Sequence, residues 1–260
     1  MHASRDERRT AVLRSAPRVS ASRISVVMPA YNEAEILATS VKDVVVGLRT
    51  RGEAFEVLIV ENGSTDGTLA LAEQIASEFP EVRVEHRDEA NYGRALRHGL
   101  LEASGDAVVN FDTDYFDLDF LEAAVDRVLT AGGPAIVVGS KRAEGANDTR
   151  SPLRKAATWI FSTILRVGFG LGVSDTHGMK AMRRTAVAPY AEACFSGQDL
   201  FDTELILRVE RAGLGAGEIP VAVHELRPAR SSFLSRVPRT LRGLCNLRIA
   251  LWKEARAQKT

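Results

Sequence analysis

The sequence predicts an α/β domain with a mostly parallel central sheet and helices on both faces. Short apolar runs alternate with segments of helical periodicity through the first half of the chain. Strands and helices that alternate in this way build parallel βα units. Hydrophobic residues make up 45% of the 260 residues, which is enough to bury a sizeable core.

The elements follow in order along the chain, where an apolar run ends at a turn residue or a helical pattern closes at Gly or Ser. Strands are expected over 24–28, 55–60, 82–85, 107–111, 135–139, 178–182 and 218–223. Helices are expected over 35–48, 64–77, 93–103, 118–129, 153–169, 201–212 and 237–258. Ligands of such sheets bind where the parallel strands end, so chemistry is sought directly after each strand.

Composition excludes several classes of protein. The formal net charge is zero, so there is no global basic field for a nucleic-acid partner. Two cysteines, Cys194 and Cys245, provide neither a disulfide framework nor a cysteine metal site. Charged residues interrupt the apolar stretches too often for a membrane span. Neither a dinucleotide GxGxxG after the first strand nor a P-loop occurs.

The central motif is a pair of carboxylates, Asp112 and Asp114, at the end of the strand expected over 107–111. Residues at i and i+2 of an extended chain project to the same side. Two adjacent carboxylates repel each other without a cation, and Mg²⁺ or Mn²⁺ prefers such oxygen ligands together with substrate phosphates. The alternative is a solvated turn that happens to be rich in Asp.

Polar and aromatic residues also follow the first two strands. Tyr31 and Glu33 follow the first, and Glu61, Asn62 and Ser64 follow the second. An aromatic ring can stack on a base, and a carboxylate can accept hydrogen bonds from a base or a ribose. The alternatives are ordinary packing for Tyr31, a first-turn helix acid for Glu33 and plain turn chemistry for Asn62 and Ser64.

Together these segments resemble a known family. The chain carries, in order, S-V-V-M-P-A-Y-N-E, V-E-N-G-S-T-D-G-T, N-Y-G-R-A-L-R-H-G, F-D-T-D, V-G-S-K-R, S-D-T-H-G-M-K-A-M-R-R and F-D-T-E-L. This order resembles family 2 glycosyltransferases, and among them dolichol- or polyprenyl-phosphate mannose synthases. The resemblance covers 24–247 and implies a GT-A fold, a nucleotide-sugar donor, a divalent metal and inversion at the anomeric carbon.

The resemblance also implies roles for individual residues. Three groups of positions carry them: Pro29, Tyr31, Glu33, Glu61, Asn62 and Ser64 would bind the donor nucleotide; Asp112 would contact donor and metal, with Asp114 as the direct metal ligand; Lys141, Arg142 and Arg230 would face donor or acceptor phosphate. Two departures stand out. Glu61-Asn62 replaces the usual Asp-Asp, and Phe116 stands where relatives often have a third metal ligand.

The predicted reaction is inverting transfer of a hexose from a GDP- or UDP-sugar to a polyprenyl phosphate, with Mg²⁺ or Mn²⁺ as cofactor. A phosphate acceptor is already anionic and needs no general base. The first alternative is a soluble transferase with a hydroxyl acceptor and a base among Asp199, Asp202 and Glu204. A second alternative is a nucleotide-sugar-binding module without turnover.

The expected organisation is a disordered basic tail over 1–23, a GT-A catalytic domain over 24–232 and a basic amphipathic helix over 233–260. The segments 153–169 and 233–260 mix basic and apolar residues in the manner of helices at a membrane interface. The alternative is a packed helix with a solvated basic face. We therefore expect a cytoplasmic protein in peripheral contact with the inner face of the membrane.

Overall fold

The computed structural model of the protein describes residues 23–141, 147–148, 152–223 and 233–257. Its strands are β1 Ile24–Ala30, β2 Phe55–Asn62, β3 Val82–Arg87, β4 Ala107–Asn110, β5 Ile136–Ser140, β6 Asn147–Asp148, β7 Lys180–Arg183, β8 Ala216–Pro220 and β9 Ala222–Val223. Its helices are α1 Leu37–Arg51, α2 Thr68–Glu78, α3 Tyr92–Glu102, α4 Leu118–Leu129, α5 Pro152–Phe169, α6 Arg184–Ala193, α7 Phe201–Arg211 and α8 Phe233–Ala257, with a 3₁₀ turn at Gln198–Leu200.

Seven strands form the central sheet in the order β3-β2-β1-β4-β7-β5-β8. Every neighbouring pair is parallel except the two pairs that β7 makes with β4 and β5. The predicted α/β class with a mostly parallel sheet is confirmed. The carboxyl ends of the parallel strands meet at one edge of the sheet, and the amino end of β7 meets them there.

Helices cover both faces of this sheet because β-strand side chains alternate between the faces. Val26 and Met28 of β1 pack into a core with α1, α2 and α4, whereas Val27 packs into the opposite core with α3, α6 and α7. All three side chains are fully buried. The near-continuous apolar runs of β1 and β2 are therefore those of strands enclosed on both sides.

The second half differs from the sequence pattern in three respects. The strand expected over 178–182 is β7, and it runs antiparallel to both neighbours. The helix α6 was not expected, and it contains Pro189. The single strand expected over 218–223 is two strands, β8 and β9, which pair with different partners.

The C-terminal helix α8 packs on the α/β domain. Leu244, Leu247 and Leu251 are at most 5% exposed and lie in the core of the α3 face. Glu254 accepts two hydrogen bonds from the guanidinium of Arg208 in α7, at 2.9 and 3.0 Å. In the described part of the chain no helix is both long and apolar enough to cross a membrane. The tail predicted over 1–23 lies, except for Arg23, outside the described residues.

Candidate active site

The site lies where β1 and β4 end. The chain reverses direction across the sheet there, since β2 and β3 lie on one side of β1 and β4 lies on the other. Ligands of open α/β sheets bind in the crevice that such a reversal creates. The residues after β1, β2 and β4 therefore lie together at one edge of the sheet.

The segment after β4 holds the two aspartates. The backbone N–H of Asp112 donates to Tyr115 O at 3.2 Å, and the N–H of Tyr115 donates to Asp112 O at 3.3 Å, which makes a tight turn. The hydroxyl of Ser40 in α1 fixes the turn by donating to Thr113 O at 2.6 Å. Asp114 therefore sits in a turn that is anchored to the body of the domain.

Tyr92, at the start of α3, holds the first aspartate. Its hydroxyl donates to Asp112 Oδ1 at 2.8 Å and lies 3.4 Å from Asn110 Oδ1. Burial raises the pKa of Asp112; the Tyr92 hydrogen bond and the charge of Lys180 lower it, while the charges of Asp114 and Asp202 raise it. Burial and the nearby carboxylates raise the pKa of Tyr92 well above its ordinary value, so its hydroxyl keeps its proton and remains a donor.

A buried ion pair lies beside the aspartates. Lys180, the first residue of β7, is 1% exposed, and its Nζ lies 3.3 Å from Asp202 Oδ1 in α7. The same Nζ donates to Gly178 O at 2.5 Å. Two buried side-chain atoms in this cluster lack a hydrogen-bond partner among the described residues, Asn110 Nδ2 and Asp202 Oδ1.

The side chains at this edge fit a hard divalent cation that takes its remaining ligands from phosphate and water. Asp112 and Asp114 would provide two carboxylates, and no group of three or more His, Cys, Asp or Glu side chains suited to a metal occurs within the residues described. Mg²⁺ is commonly held by one or two carboxylates plus substrate phosphates. Phe116, at the position of a frequent third ligand, packs its ring at 6.1 Å from that of Phe111.

The turns after β1 and β2 are joined by side-chain hydrogen bonds. Ser64 Oγ accepts from the N–H of Asn32 at 2.9 Å, and Asn32 Oδ1 accepts from the N–H of Thr65 at 2.8 Å. Thr68 Oγ1 accepts from the N–H of Glu33 at 2.8 Å. Asn32 has a φ of 55°, a left-handed conformation that Asn tolerates. These hydrogen bonds fix the turn after β1 against the turn after β2.

Glu61 faces into the protein. Its side chain is 1% exposed, Oε1 accepts from the N–H of Ser64 at 2.5 Å, and Oε2 lies 2.5 Å from Nδ1 of His86, its register partner on β3. Burial acts to raise the pKa of Glu61, but the hydrogen bonds from Ser64 and His86 outweigh it and lower the pKa. The Glu61 hydrogen bond raises the pKa of His86.

His86 is therefore the solvent-facing member of this pair. Its side chain is 43% exposed and its Nε2 lies 3.1 Å from Asp88. It borders a cleft of about 250 Å³ that Arg87 and Arg94 also line. A ligand at this end of the site would meet the imidazole before the carboxylate behind it.

The other residues expected at the nucleotide end differ in accessibility. Tyr31 is 42% exposed, while Pro29 lies within buried β1. Asn62 is buried: its Nδ2 donates to Ala30 O at 2.9 Å and its Oδ1 accepts from the N–H of Asn91 at 3.1 Å. Their roles in donor binding remain predictions.

Of the three cations expected to face phosphate, one is described. Lys141 follows β5 and its Nζ lies 5.5 Å from the centroid of the Tyr115 ring, a cation–π contact with the turn that carries the aspartates. Arg142 and Arg230 lie outside the described residues.

Two of the three acids considered as a general base are committed to ion pairs. Glu204 is fully buried; its Oε1 accepts from Arg208 Nε and its Oε2 from the N–H of Ser196, both at 2.8 Å. Asp202 pairs with Lys180. The side chain of Asp199 is outside the described set.

Sequence reasoning missed Tyr92, His86 and Lys180. Lys180 gave a signal, because a lysine within the apolar run Met179 to Met182 must find a partner when the strand is buried. Tyr92 also gave a signal, because it stands in the segment N-Y-G-R-A-L-R-H-G that carries the family resemblance. His86 gave none, since it reaches the site only through the register of β3 with β2.

Comparison with known proteins agrees with this geometry. A model of glycosyl transferase family 2 matches residues 25–190. The chain belongs to that family. Among its relatives are glycosyltransferase AglD of Haloferax volcanii, 32% identical over 76% of this chain and 32% of its own length, and an undecaprenyl-phosphate mannosyltransferase of Micrococcus luteus, 31% identical over 78% of this chain and 84% of its own length.

Solved structures agree with the family assignment. The crystal structure of glucosyl-3-phosphoglycerate synthase from Mycobacterium tuberculosis in complex with Mn²⁺, UDP and glucosyl-3-phosphoglycerate has a TM-score of 0.60 and 26% identity, over 84% of this chain and 75% of that one. The structural neighbours are GT-A glycosyltransferases, which confirms the expected fold. The resemblance to polyprenyl-phosphate sugar synthases is confirmed as well.

The chain matches only part of the length of some relatives. The chain spans about a third of AglD, 32% of its length. Family and fold are therefore established for this chain, while donor, acceptor and metal are matters for proposal.

Proposed function

We propose that this chain is the catalytic domain of an inverting, metal-dependent glycosyltransferase that moves a hexose from a GDP- or UDP-sugar to a polyprenyl phosphate. The observation that carries the proposal is the Asp112–Asp114 turn at the crevice between β1 and β4, in a family 2 domain. A Micrococcus luteus relative is an undecaprenyl-phosphate mannosyltransferase, which supports the choice of acceptor.

In the proposed reaction an oxygen of the acceptor phosphate bonds to the anomeric carbon of the hexose. The bond between that carbon and the β-phosphate oxygen breaks, and the nucleoside diphosphate leaves with the electron pair. A divalent cation held by Asp112 and Asp114 would supply charge stabilisation to the leaving diphosphate. Tyr92 keeps Asp112 oriented, and Lys141 is positioned beside the aspartate turn to attract phosphate.

A phosphate acceptor suits the side chains of the cleft. The reacting oxygen is anionic at neutral pH and requires positioning rather than deprotonation. Asp202 and Glu204, two of the three acids that could act as the base for a hydroxyl acceptor, are at most 5% exposed and face Lys180 and Arg208. Neither carboxylate reaches solvent in a way that would let it take a proton from an incoming hydroxyl. The side chain of the third, Asp199, lies outside the described residues.

Two helices support contact with a lipid surface. α5 exposes Trp159, Ile160, Ile164 and Val167, between 37% and 82% each, and α8 exposes Leu241, Ile249 and Trp252, between 47% and 54%. Arg248 of α8 donates to Gly168 O at 2.6 Å, so α8 contacts the C-terminal end of α5. Exposed Lys155, Arg166, Arg242 and Lys253 accompany these apolar side chains. We propose peripheral binding at the cytoplasmic face, where anionic lipids attract such residues.

The transfer assay uses radiolabelled UDP- and GDP-hexoses, Mn²⁺ and polyprenyl phosphate in anionic vesicles. The proposal expects label in the organic extract with one donor. Asp114→Ala should abolish this label, whereas Asp43→Ala, an exposed aspartate on α1, should leave it unchanged. Absence of extractable product with every donor that the protein binds would overturn the lipid acceptor.

A soluble acceptor is the second candidate, because the neighbouring glucosyl-3-phosphoglycerate synthase was crystallised with glucosyl-3-phosphoglycerate. The same assay includes phosphoglycerate and simple sugars as acceptors. Labelled water-soluble product without lipid product would assign the protein to this second class. Donor binding without any transfer would make it a binding module.

A further inference from the structure

We infer that Lys180 and Asp202 form an internal ion pair that sets the net charge of the Asp112–Asp114 site, which makes Lys180 a positioning residue for the divalent cation. The inference deepens the proposed function and rests on it for the identity of the ligand. It concerns residues that lie behind the two aspartates and would not themselves touch donor or acceptor.

The topology brings Lys180 to the site. Because β7 is antiparallel to β4, its first residue lies at the edge where β4 ends, in register with Asn110, two residues before Asp112. Lys180 is 1% exposed and Asp202 5%, so both charges are shielded from bulk water and from salt. The field of each therefore reaches Asp112 more strongly than a surface charge would.

The charges of the cluster match a divalent cation. Three carboxylates, Asp112, Asp114 and Asp202, face one ammonium, that of Lys180, and when all are ionised the cluster carries two net negative charges. Without Lys180 the carboxylate of Asp202 would add its repulsion to Asp112. Without Asp202 the ammonium of Lys180 would direct its full charge at Asp112 and repel the metal.

The geometry of the Lys180–Asp202 pair gives it little value for the stability of the fold alone. Asp202 Oδ1 lies 3.3 Å from Lys180 Nζ without forming a hydrogen bond, and it has no other hydrogen-bond partner among the described side chains and backbone. A buried ion pair with incomplete hydrogen bonding recovers little of its desolvation cost, and an apolar pair would pack as well. An electrostatic role toward the neighbouring aspartates accounts for keeping both charges.

The test is a charge series in the full chain, read by Mn²⁺ binding in electron paramagnetic resonance at pH 7.5 without donor. Asp202→Asn, which leaves one net negative charge, should weaken Mn²⁺ binding by about tenfold or more. Adding Lys180→Met to it returns the cluster to two negative charges and should bring the affinity back to within about threefold of the wild type.

A purely structural pair also predicts recovery in the double variant, since no unpaired charge is left buried. It differs for the single variant Lys180→Met, which would then weaken Mn²⁺ binding as much as Asp202→Asn does. Glu204→Gln is the matched control: it breaks a buried ion pair on the same helix and should lower thermal stability without changing Mn²⁺ affinity. Circular dichroism checks that each variant is folded, and the single variant Lys180→Met should bind Mn²⁺ no more weakly than the wild type.

The inference is overturned if Asp202→Asn binds Mn²⁺ as tightly as the wild type, or if the double variant binds as weakly as Asp202→Asn. Its failure differs from that of the proposed function. If the wild type and Asp114→Ala bind Mn²⁺ equally well, the assignment of the metal site is wrong. If Asp114→Ala abolishes Mn²⁺ binding but the Asp202 and Lys180 variants all bind Mn²⁺ as tightly as the wild type, only the role of Lys180 is wrong.

Discussion

Replacing Tyr92 by phenylalanine removes one hydrogen bond from Asp112 and keeps the aromatic ring. The bond is 2.8 Å long and its acceptor is a carboxylate shielded by the protein. Hydrogen bonds to charged groups contribute about 1.5–3 kcal/mol. If that energy orients Asp112 toward the metal and diphosphate in the transition state, kcat/KM should fall by about 10- to 100-fold, since about 1.4 kcal/mol corresponds to a factor of ten.

The assay is Mn²⁺-dependent turnover of the donor sugar, with Mn²⁺ affinity measured separately. Loss of the hydroxyl also removes an interaction that lowers the pKa of Asp112, so Mn²⁺ binding by Tyr92→Phe should require a higher pH than binding by the wild type. Tyr190→Phe, on α6, is the control and should behave as wild type. Turnover by Tyr92→Phe within twofold of the wild type would refute the orienting role.

Two further predictions concern the Glu61–His86 pair and the helix α8. The pKa of His86 is raised above 6.5 and that of Glu61 is lowered below 4.5, so their pairing stabilises the fold fully between pH 4.5 and 6.5 and is lost as pH rises through the raised pKa of His86. In urea unfolding, the difference between the free energies of unfolding at pH 6 and pH 8 should be smaller for His86→Ala than for the wild type. An unchanged difference would count against the pairing. Leu247→Ala, at a fully buried position of α8, should cost about 2–5 kcal/mol in the free energy of unfolding, whereas Leu241→Ala, 47% exposed, should cost about 0.5 kcal/mol or less; equal costs would mean that α8 does not pack as described.

The next prediction concerns the proposed membrane contact of α5. Trp159→Glu replaces a side chain that is 59% exposed on α5 and should weaken sedimentation with anionic vesicles, as should added salt. Binding that is insensitive to both changes would contradict peripheral contact through this face.

The first half of the fold was predictable because its signals are local. The apolar runs that became β1, β2 and β4 are each followed by turn residues, among them Asn32 after β1, Gly63 after β2 and the Asp112–Asp114 turn after β4. Parallel βα units follow from the alternation of these runs with helices. The Asp112–Asp114 turn was found for the same reason: a polar pair after a buried strand is visible in the sequence and lies at the functional edge of any such sheet.

The second half was less predictable because its structure depends on distant partners. Nothing local specifies that β7 runs antiparallel, yet that direction is what brings Lys180 to the site. Likewise, nothing local indicates that Glu61 lies in register with His86 on β3 and is buried behind the imidazole, and its role in nucleotide binding stays a prediction. Hydrophobic pattern gives the faces of a strand, whereas register and direction are set by tertiary packing.

The most direct test of metal-assisted donor binding at the Asp112–Asp114 turn is calorimetric titration with UDP- and GDP-hexoses, with and without Mn²⁺. The wild type should bind one of these donors, and Mn²⁺ should tighten that binding by about tenfold or more, since two carboxylates and a diphosphate share the cation. Asp114→Ala, folded by circular dichroism, should lose this enhancement while Asp43→Ala retains it. Equal donor affinity with and without Mn²⁺ in the wild type, or an undiminished enhancement in Asp114→Ala, would contradict the assignment of this turn as the metal-dependent donor site.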